Sequence, residues 1–347
     1  MRLLDSTFYN FDLEKAVNSF DMSRFDDKNF FITGGLGLIA STIVDVLLKY
    51  GNTGIIYIGA RDEKQFQNRY GNLEKVRFVL YDALKPIDLN FSVDYIICGA
   101  GLASPELYSS MPVETIFSNI NGINELLSFA MHKTVERILY ISSSEVYGNK
   151  NTDKPFVEGE YGEIDIDKIR SSYAIAKRTS EMICKAYTSE YGLDTVIVRP
   201  GHIYGPSAKK EDKRISSDFA FKAAFGKKME MKSSGLQKRS YCYSIDCAIQ
   251  ILTVLIKGES GQAYNIGHDE VITIREMAEI LARASNVKLT VEQPSEQELK
   301  IFNPMNNSAL DNSKIKKLGY RDLFSVNDGL THTVKILKEI YSDSTIF

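Results

Sequence analysis

The stretch Asn29-Phe30-Phe31-Ile32-Thr33, followed by Gly34-Gly35-Leu36-Gly37-Leu38-Ile39-Ala40, constrains the fold of this chain more than any other. A short apolar strand runs into a glycine turn, and the residues from Ser41 to Tyr50 continue as a helix. Glycines at 34 and 37 let the backbone turn tightly and approach a pyrophosphate at a helix N-terminus, while Ala40 keeps the third position small. Further strands are expected at 55–58, 76–81, 94–98, 137–142 and 195–199, with a helix over 116–131. Strands alternating with helices at this pitch imply βαβ units and a parallel sheet covered on both faces.

The fold class expected is therefore α/β: a Rossmann-type doubly wound parallel sheet with a smaller mixed α/β C-terminal substrate lobe. Residues 1–27 read as an N-terminal helical extension, with Leu13, Ala16, Val17 and Phe20 at helical spacing. Residues 28–206 are mainly the dinucleotide-binding domain. Beyond Pro206 the pattern loosens into polar loops, single helices and short strands such as 263–266, so 207–347 is mainly the substrate lobe.

Composition excludes several function classes. A net charge of -3 gives no footprint for nucleic acid, and the richest basic stretch, Lys209 to Lys232, is interrupted by Glu211, Asp212, Asp218 and Glu230. No apolar run approaches membrane-spanning length, and residues 1–27 have no signal-peptide core. Cys98, Cys184, Cys242 and Cys247 form no CxxC pair and read as buried reduced thiols. A cytoplasmic protein with no metal site and no membrane partner is expected.

The residues that carry chemistry lie further on. Tyr173 and Lys177 are four apart on a helical pattern, hence one turn apart on one face. An ammonium beside a phenol favours the phenolate and lowers the tyrosine pKa, so Tyr173 can exchange a proton with a sugar hydroxyl or carbonyl. The fifth strand ends in Ser142-Ser143-Ser144-Glu145-Val146-Tyr147-Gly148, at the sheet edge where side chains face a ligand crevice. Ser143 can bond a substrate oxygen there, and Glu145 can act as acid or base if the site raises its pKa. The second strand ends Ile58-Gly59-Ala60-Arg61-Asp62, without a ribose-binding carboxylate at its tip and with Arg61 instead. That tilts the cofactor toward NADP over NAD, although Arg61 also fits a surface residue or an adenine stack. Asp82 fits either an adenine contact or a turn cap.

Taken together, these segments resemble the extended short-chain dehydrogenase/reductase family, the NAD-dependent epimerase/dehydratases acting on nucleotide sugars. The resemblance runs from about Phe30 to the C-terminus. It rests on Thr33 to Ala40, Ser143 to Gly148, Tyr173-x-x-x-Lys177 and Arg199-Pro200-Gly201-His202-Ile203-Tyr204-Gly205-Pro206. Gln237 to Tyr241, Tyr264 to Gly267 and Leu310 to Lys314 agree. Cofactor contacts are expected at Gly34, Gly37, Leu38, Ile39, Arg61, Asp82, Tyr173 and Lys177, and the resemblance adds Ala100 and Asn119 in the cofactor crevice. It also implies that Tyr173 deprotonates the sugar C4 hydroxyl, that Lys177 holds the nicotinamide ribose, and that Ser143 binds the C4 oxygen. Arg239 would meet the nucleotide diphosphate, and Ser104 and His202 the substrate. A homodimer is a further implication.

Two departures bear on the reaction. His202 stands where the family usually has Asn, which would make substrate binding pH-sensitive near neutrality. The 4,6-dehydratases resembling this chain carry Thr-Asp-Glu where this one has Ser143-Ser144-Glu145, so the elimination acid is missing. Ser-Glu, with Ala103-Ser104-Pro105 before Tyr108, looks like the nucleotide-sugar glucuronate decarboxylases. Their C-terminal arginines, however, are replaced by Asn303-Pro304-Met305-Asn306-Asn307-Ser308. Epimerisation through a 4-keto sugar is the reading favoured. The alternatives are decarboxylation, dehydration, or net NADPH-dependent reduction of a 4-keto sugar. A non-catalytic dinucleotide sensor is disfavoured by the intact Ser143, Tyr173 and Lys177.

Overall fold

The computed structural model describes residues 2–71, 73–87, 89–150, 153–292 and 307–342. Seven parallel strands form the central sheet: β1 (Phe30–Thr33), β2 (Ile56–Ala60), β3 (Val76–Leu80), β4 (Tyr95–Cys98), β5 (Arg137–Ile141), β6 (Thr195–Pro200) and β10 (Ala263–Ile266). Their spatial order is β10-β6-β5-β4-β1-β2-β3. Chain order reverses between β1 and β4, and ligands of open α/β sheets bind beyond the strand ends at that crevice.

Side-chain alternation along each strand sorts the core into two layers. Phe30 and Ile32 pack with Ile97, Leu139, Val196 and Val198 on one face. Phe31 packs with Ile96, Ile138, Tyr140 and Ile197 on the other. The first face is covered by α2 (Leu38–Tyr50) and α8 (Ser244–Lys257), the second by α5 (Pro112–Met131) and α6 (Ser172–Tyr191). Both faces being dry explains why these strands read as continuous apolar runs.

One expectation needs correction here. Residues 263–266 do not belong to a separate lobe; β10 is the seventh strand of the main sheet, with Ala263 opposite Ile197 and Ile266 opposite Pro200. The sequence separates it from β6 by a long excursion, so local pattern gives no clue to its partner. That excursion carries β7 (His202–Tyr204), α7 (Ile215–Ala224), β8 (Met229–Met231) and β9 (Lys238–Tyr243). The small sheets are β11 (Val271–Thr273)-β9-β7 and β12 (Leu289–Val291)-β8. Around them pack α7, α9 (Ile274–Ser285) and the last helix, Val326–Tyr341.

The N-terminal segment is helical as expected, with α1 over Thr7–Asn18. It packs between α2, α8 and the last helix. Buried Asp12 accepts from the Tyr243 hydroxyl at 2.9 Å and meets His332 Nδ1 at 2.9 Å, while the Tyr9 hydroxyl donates to Asp45 at 2.8 Å. Thus α1 ties the glycine-turn helix to the C-terminal helix. Among the described residues, no helix is long and apolar enough to cross a membrane, and no His/Cys/Asp/Glu group could hold a metal ion.

Candidate active site

The β1–α2 turn is shaped by its glycines. Gly34 sits at φ +68, and a Cβ there would lie 2.7 Å from the Gly99 carbonyl oxygen at the end of β4. Only glycine allows β1 and β4 to close this far at the crevice. Gly37 caps α2 without a side chain, so the first-turn amides at Leu38 and Ile39 keep their donors for a ligand. Thr33 Oγ1 accepts from the amides of Gly99 and Ala100 at 3.1 and 3.2 Å, joining the two strand ends. Buried Asn119 donates from Nδ2 to the Thr115 carbonyl at 2.8 Å, while its Oδ1 has no hydrogen-bond partner. A dinucleotide fits this cradle: close backbone approach, open amides and an orphaned buried acceptor all meet at the switch point. NAD is the group this cradle would hold.

Other expected cofactor residues are less engaged. Arg61 is exposed at the end of β2, and the adjacent Asp62 caps α3 (Glu63–Tyr70) by accepting from Gln65 N at 2.9 Å. Asp82 caps its own turn, accepting from Leu84 N at 3.1 Å.

At the end of β5 the chain enters a 3-10 turn, Ser144–Tyr147, capped by Ser143 Oγ accepting from Glu145 N at 3.2 Å. Tyr173 opens α6 and is buried, with Ser143 near enough to its phenol to lower the phenol's pKa. Lys177 Nζ, one turn on, lies 5.8 Å from the Tyr173 ring centroid and donates to the Ile141 carbonyl at 2.8 Å. Ser143, Tyr173 and Lys177 are therefore brought together.

The expected electrostatics are not. Burial pushes the Tyr173 phenol above its ordinary range, Tyr108 and Glu145 add to that, and Ser143 and Arg214 oppose it. Burial also pushes Lys177 down, to about 8. The proximity argument suits a solvated pair; here desolvation is the largest cause for both groups.

His202 corrects a second expectation. Its Nε2 meets Ser308 Oγ at 2.9 Å, and burial together with Arg239 and Arg214 pushes its pKa down to about 3. The ring stays neutral at physiological pH, so it supplies no titration near pH 6.5. Arg239, on β9, is buried, and burial lowers its pKa against the pull of Tyr241 and Glu145. Ser104 caps the short helix α4 (Pro105–Ser110), accepting from Leu107 N at 3.4 Å.

The fold adds three residues that the sequence reading did not place in the site. Tyr108, from α4, stacks on Tyr173. Arg170 Nη2 lies 3.6 Å from Glu145 Oε1. Arg214 acts electrostatically on Tyr173, Tyr108 and His202. Arg170 precedes Tyr173 by three residues, a spacing that could have suggested it; nothing local marks Arg214. Of the segment expected to lack the decarboxylase arginines, 303–306 lie outside the described residues.

The NAD dependent epimerase/dehydratase family model matches residues 30–267. The chain belongs to this family. UDP-glucuronic acid decarboxylase 6 of Arabidopsis thaliana is 31% identical over 264 residues, covering 74% of this chain and 75% of that protein. A dTDP-D-glucose 4,6-dehydratase of Homo sapiens is 27% identical over 332 residues, covering 90% of each. Among solved structures, a dTDP-glucose 4,6-dehydratase double mutant from Streptomyces venezuelae with NAD bound superposes with a TM-score of 0.75 at 24% identity, covering 91% of this chain and 97% of that one. The fold and the enzyme class expected from the sequence both hold. The family and this neighbour carry NAD, and nothing in either supports the NADP preference read from Arg61.

Proposed function

We propose that the enzyme oxidises the C4 hydroxyl of a nucleotide-linked sugar, alters the 4-keto sugar, and restores its cofactor within the same site. The observation that carries this reading is the convergence of Ser143, Tyr173 and Lys177 beside the glycine cradle. NAD, when bound, supplies the hydride acceptor. Tyr173 Oη takes the proton from the C4 hydroxyl, Ser143 holds that oxygen, and Lys177 stabilises the phenolate and holds the ribose. Backbone amides at Leu38 and Ile39 receive the pyrophosphate over Gly34 and Gly37, whose missing side chains permit the close approach, with Ala100 and Asn119 lining the nicotinamide side and Asp82 the adenine side. Arg61, exposed, fits a ribose-edge or surface role with NAD. The sugar nucleotide lies between the 28–206 and 207–347 portions, with Arg239 at the diphosphate and Ser104 and His202 along the substrate.

Epimerisation is the first reading of the second step. It requires no further acid once the ketone is formed, whereas elimination of water needs one where this chain has Ser144. Decarboxylation is the second reading, and a specific observation favours it. Arg170 lies 3.6 Å from Glu145, and Arg214, paired with Asp212, acts electrostatically on Tyr173, so the site carries cations that the sequence pattern lacked. In that outcome the C5–C6 bond breaks, carbon dioxide leaves, the electron pair enters the C4 carbonyl as an enolate, and C5 takes a proton from solvent relayed through Glu145 before the ketone is reduced.

A homodimer through α5 and α6 is supported by Val113, Phe117, Met182 and Tyr191, all exposed on those helices. Four buried free cysteines suit a reducing cytoplasm. The test is incubation with UDP-, dTDP-, GDP- and CDP-sugars, UDP-glucuronate included, with products followed by NMR. Epimer formation supports the first reading and loss of carbon dioxide the second. Wild-type turnover by Tyr173→Phe would sink both.

A further inference from the structure

A cavity of about 570 Å³ lies at the free edge of β10, and it contains none of Ser143, Tyr173, Lys177 or Arg239. Its volume is in the range of small-molecule sites. The floor is Arg199, fully buried, whose donors are all taken. Nε and Nη2 reach Glu181 at 2.9 and 2.6 Å, Nη1 reaches the Tyr147 hydroxyl and the Glu158 carbonyl, and Nη2 also reaches the Tyr161 hydroxyl at 2.6 Å. This hydrogen-bonded wall separates the cavity from the catalytic turn.

The rim is cation-rich. Lys185, Lys314 and Lys317 line it, against two carboxylates that are already occupied. Glu158 accepts from Asn265 N at 2.9 Å and Asp311 from Ser313 N at 2.8 Å. Among the described residues, the Lys185 and Lys317 ammonium groups have no hydrogen-bond or ion-pair partner. Burial pushes Lys314 below the ordinary lysine range, Glu158 and Glu259 oppose that, and Arg199 and Lys185 add smaller repulsions. Two ammonium groups on one cavity rim, unpartnered among the described residues, attract an anion. Tyr161, half exposed on the same wall, adds an aromatic surface held by its bond to Arg199.

We propose that this cavity is a second, non-catalytic ligand site that takes a nucleoside phosphate, with the phosphate on Lys185 and Lys317 and the base against Tyr161. The proposal does not depend on the reaction assigned above, because its test needs no turnover.

The probes are inorganic phosphate and the monophosphates AMP, UMP, CMP and GMP, titrated calorimetrically into the NAD-loaded full chain. The comparisons are the Lys185→Glu/Lys317→Glu double variant and Arg239→Ala. The expected result is saturable binding of at least one nucleotide, weakened tenfold or more in the lysine pair and retained in Arg239→Ala. Turnover without added nucleotide stays unchanged in the lysine pair. Binding that survives the lysine changes but falls with Arg239→Ala would place the nucleotide in the catalytic cleft and overturn the proposal. Absence of saturable binding by every probe overturns it as well. Phosphate binding as tightly as the nucleotides overturns the nucleotide assignment and the role of Tyr161.

Discussion

Tyr108 lies flat against Tyr173, with ring centroids 4.9 Å apart and ring planes 14° from parallel. Both rings are buried, and Ser172 Oγ ties α4 to α6 by donating to the Tyr108 carbonyl at 3.3 Å. The stack holds water away from the phenol to which the proposed mechanism gives the C4 proton. Tyr108→Ala should hydrate Tyr173 and lower its pKa. The limb of the kcat–pH profile that requires the phenolate then moves about one unit toward lower pH. Tyr108→Phe keeps the stack and should leave that limb in place. An unchanged profile in the alanine variant would show that Tyr108 does not set the phenol's environment.

Lys177 exchanges stability for function. Its pKa falls from 10.5 to about 8 because burial penalises the ammonium. A folded value below the unfolded one means that folding is opposed by this group at all pH below about 8, and that the opposition fades as pH rises toward 10.5. Lys177→Met should therefore raise the melting temperature of cofactor-free protein at pH 7 by a few degrees, with a smaller gain at pH 10. The same variant should lose turnover by about 10²–10⁴-fold, as should Tyr173→Phe. Calorimetry across pH and steady-state assays check both halves.

Arg199 and Glu181 form a doubly hydrogen-bonded pair with almost no exposed surface, and Ser142 Oγ also donates to Glu181 at 2.6 Å. Removing one partner leaves the other charge buried and alone, so Arg199→Met should cost about 3–5 kcal/mol. Arg199→Met with Glu181→Leu should recover much of that loss. Urea denaturation of the two variants separates the cases; equal destabilisation would argue against the pair as the cause.

Asp12 is fully buried and serves both Tyr243 and His332. Asp12→Ala orphans the Tyr243 hydroxyl and frees α1 from the C-terminal helix, at about 1–3 kcal/mol for the unsatisfied group. The urea midpoint should fall accordingly. Asp12→Asn keeps an acceptor for Tyr243 and should fall less.

The local parts of this protein were legible in the chain. Six strand positions, the glycine turn at 34–37 and the Tyr173–Lys177 face rest on side-chain alternation, glycine φ freedom and helical spacing. These interactions reach only a few residues along the chain. The pairing of 263–266 with β6 was not legible, because a strand's partner across some sixty residues leaves no mark on its own pattern. The same holds for α1, whose role depends on Tyr243 and His332 far downstream.

Within the candidate site, the sequence named Ser143, Glu145, Tyr173, Lys177, His202 and Arg239 by residue type and position in the pattern. Only tertiary structure decided their protonation and company. It laid Tyr108 on Tyr173, brought Arg170 to Glu145, and set Arg214 where it acts on Tyr173 and His202. Burial then drove the phenol up and the imidazole down, against what residue type and spacing alone suggested. The physical reason is that desolvation belongs to the whole packed surroundings of a group, and a sequence names the group without its surroundings.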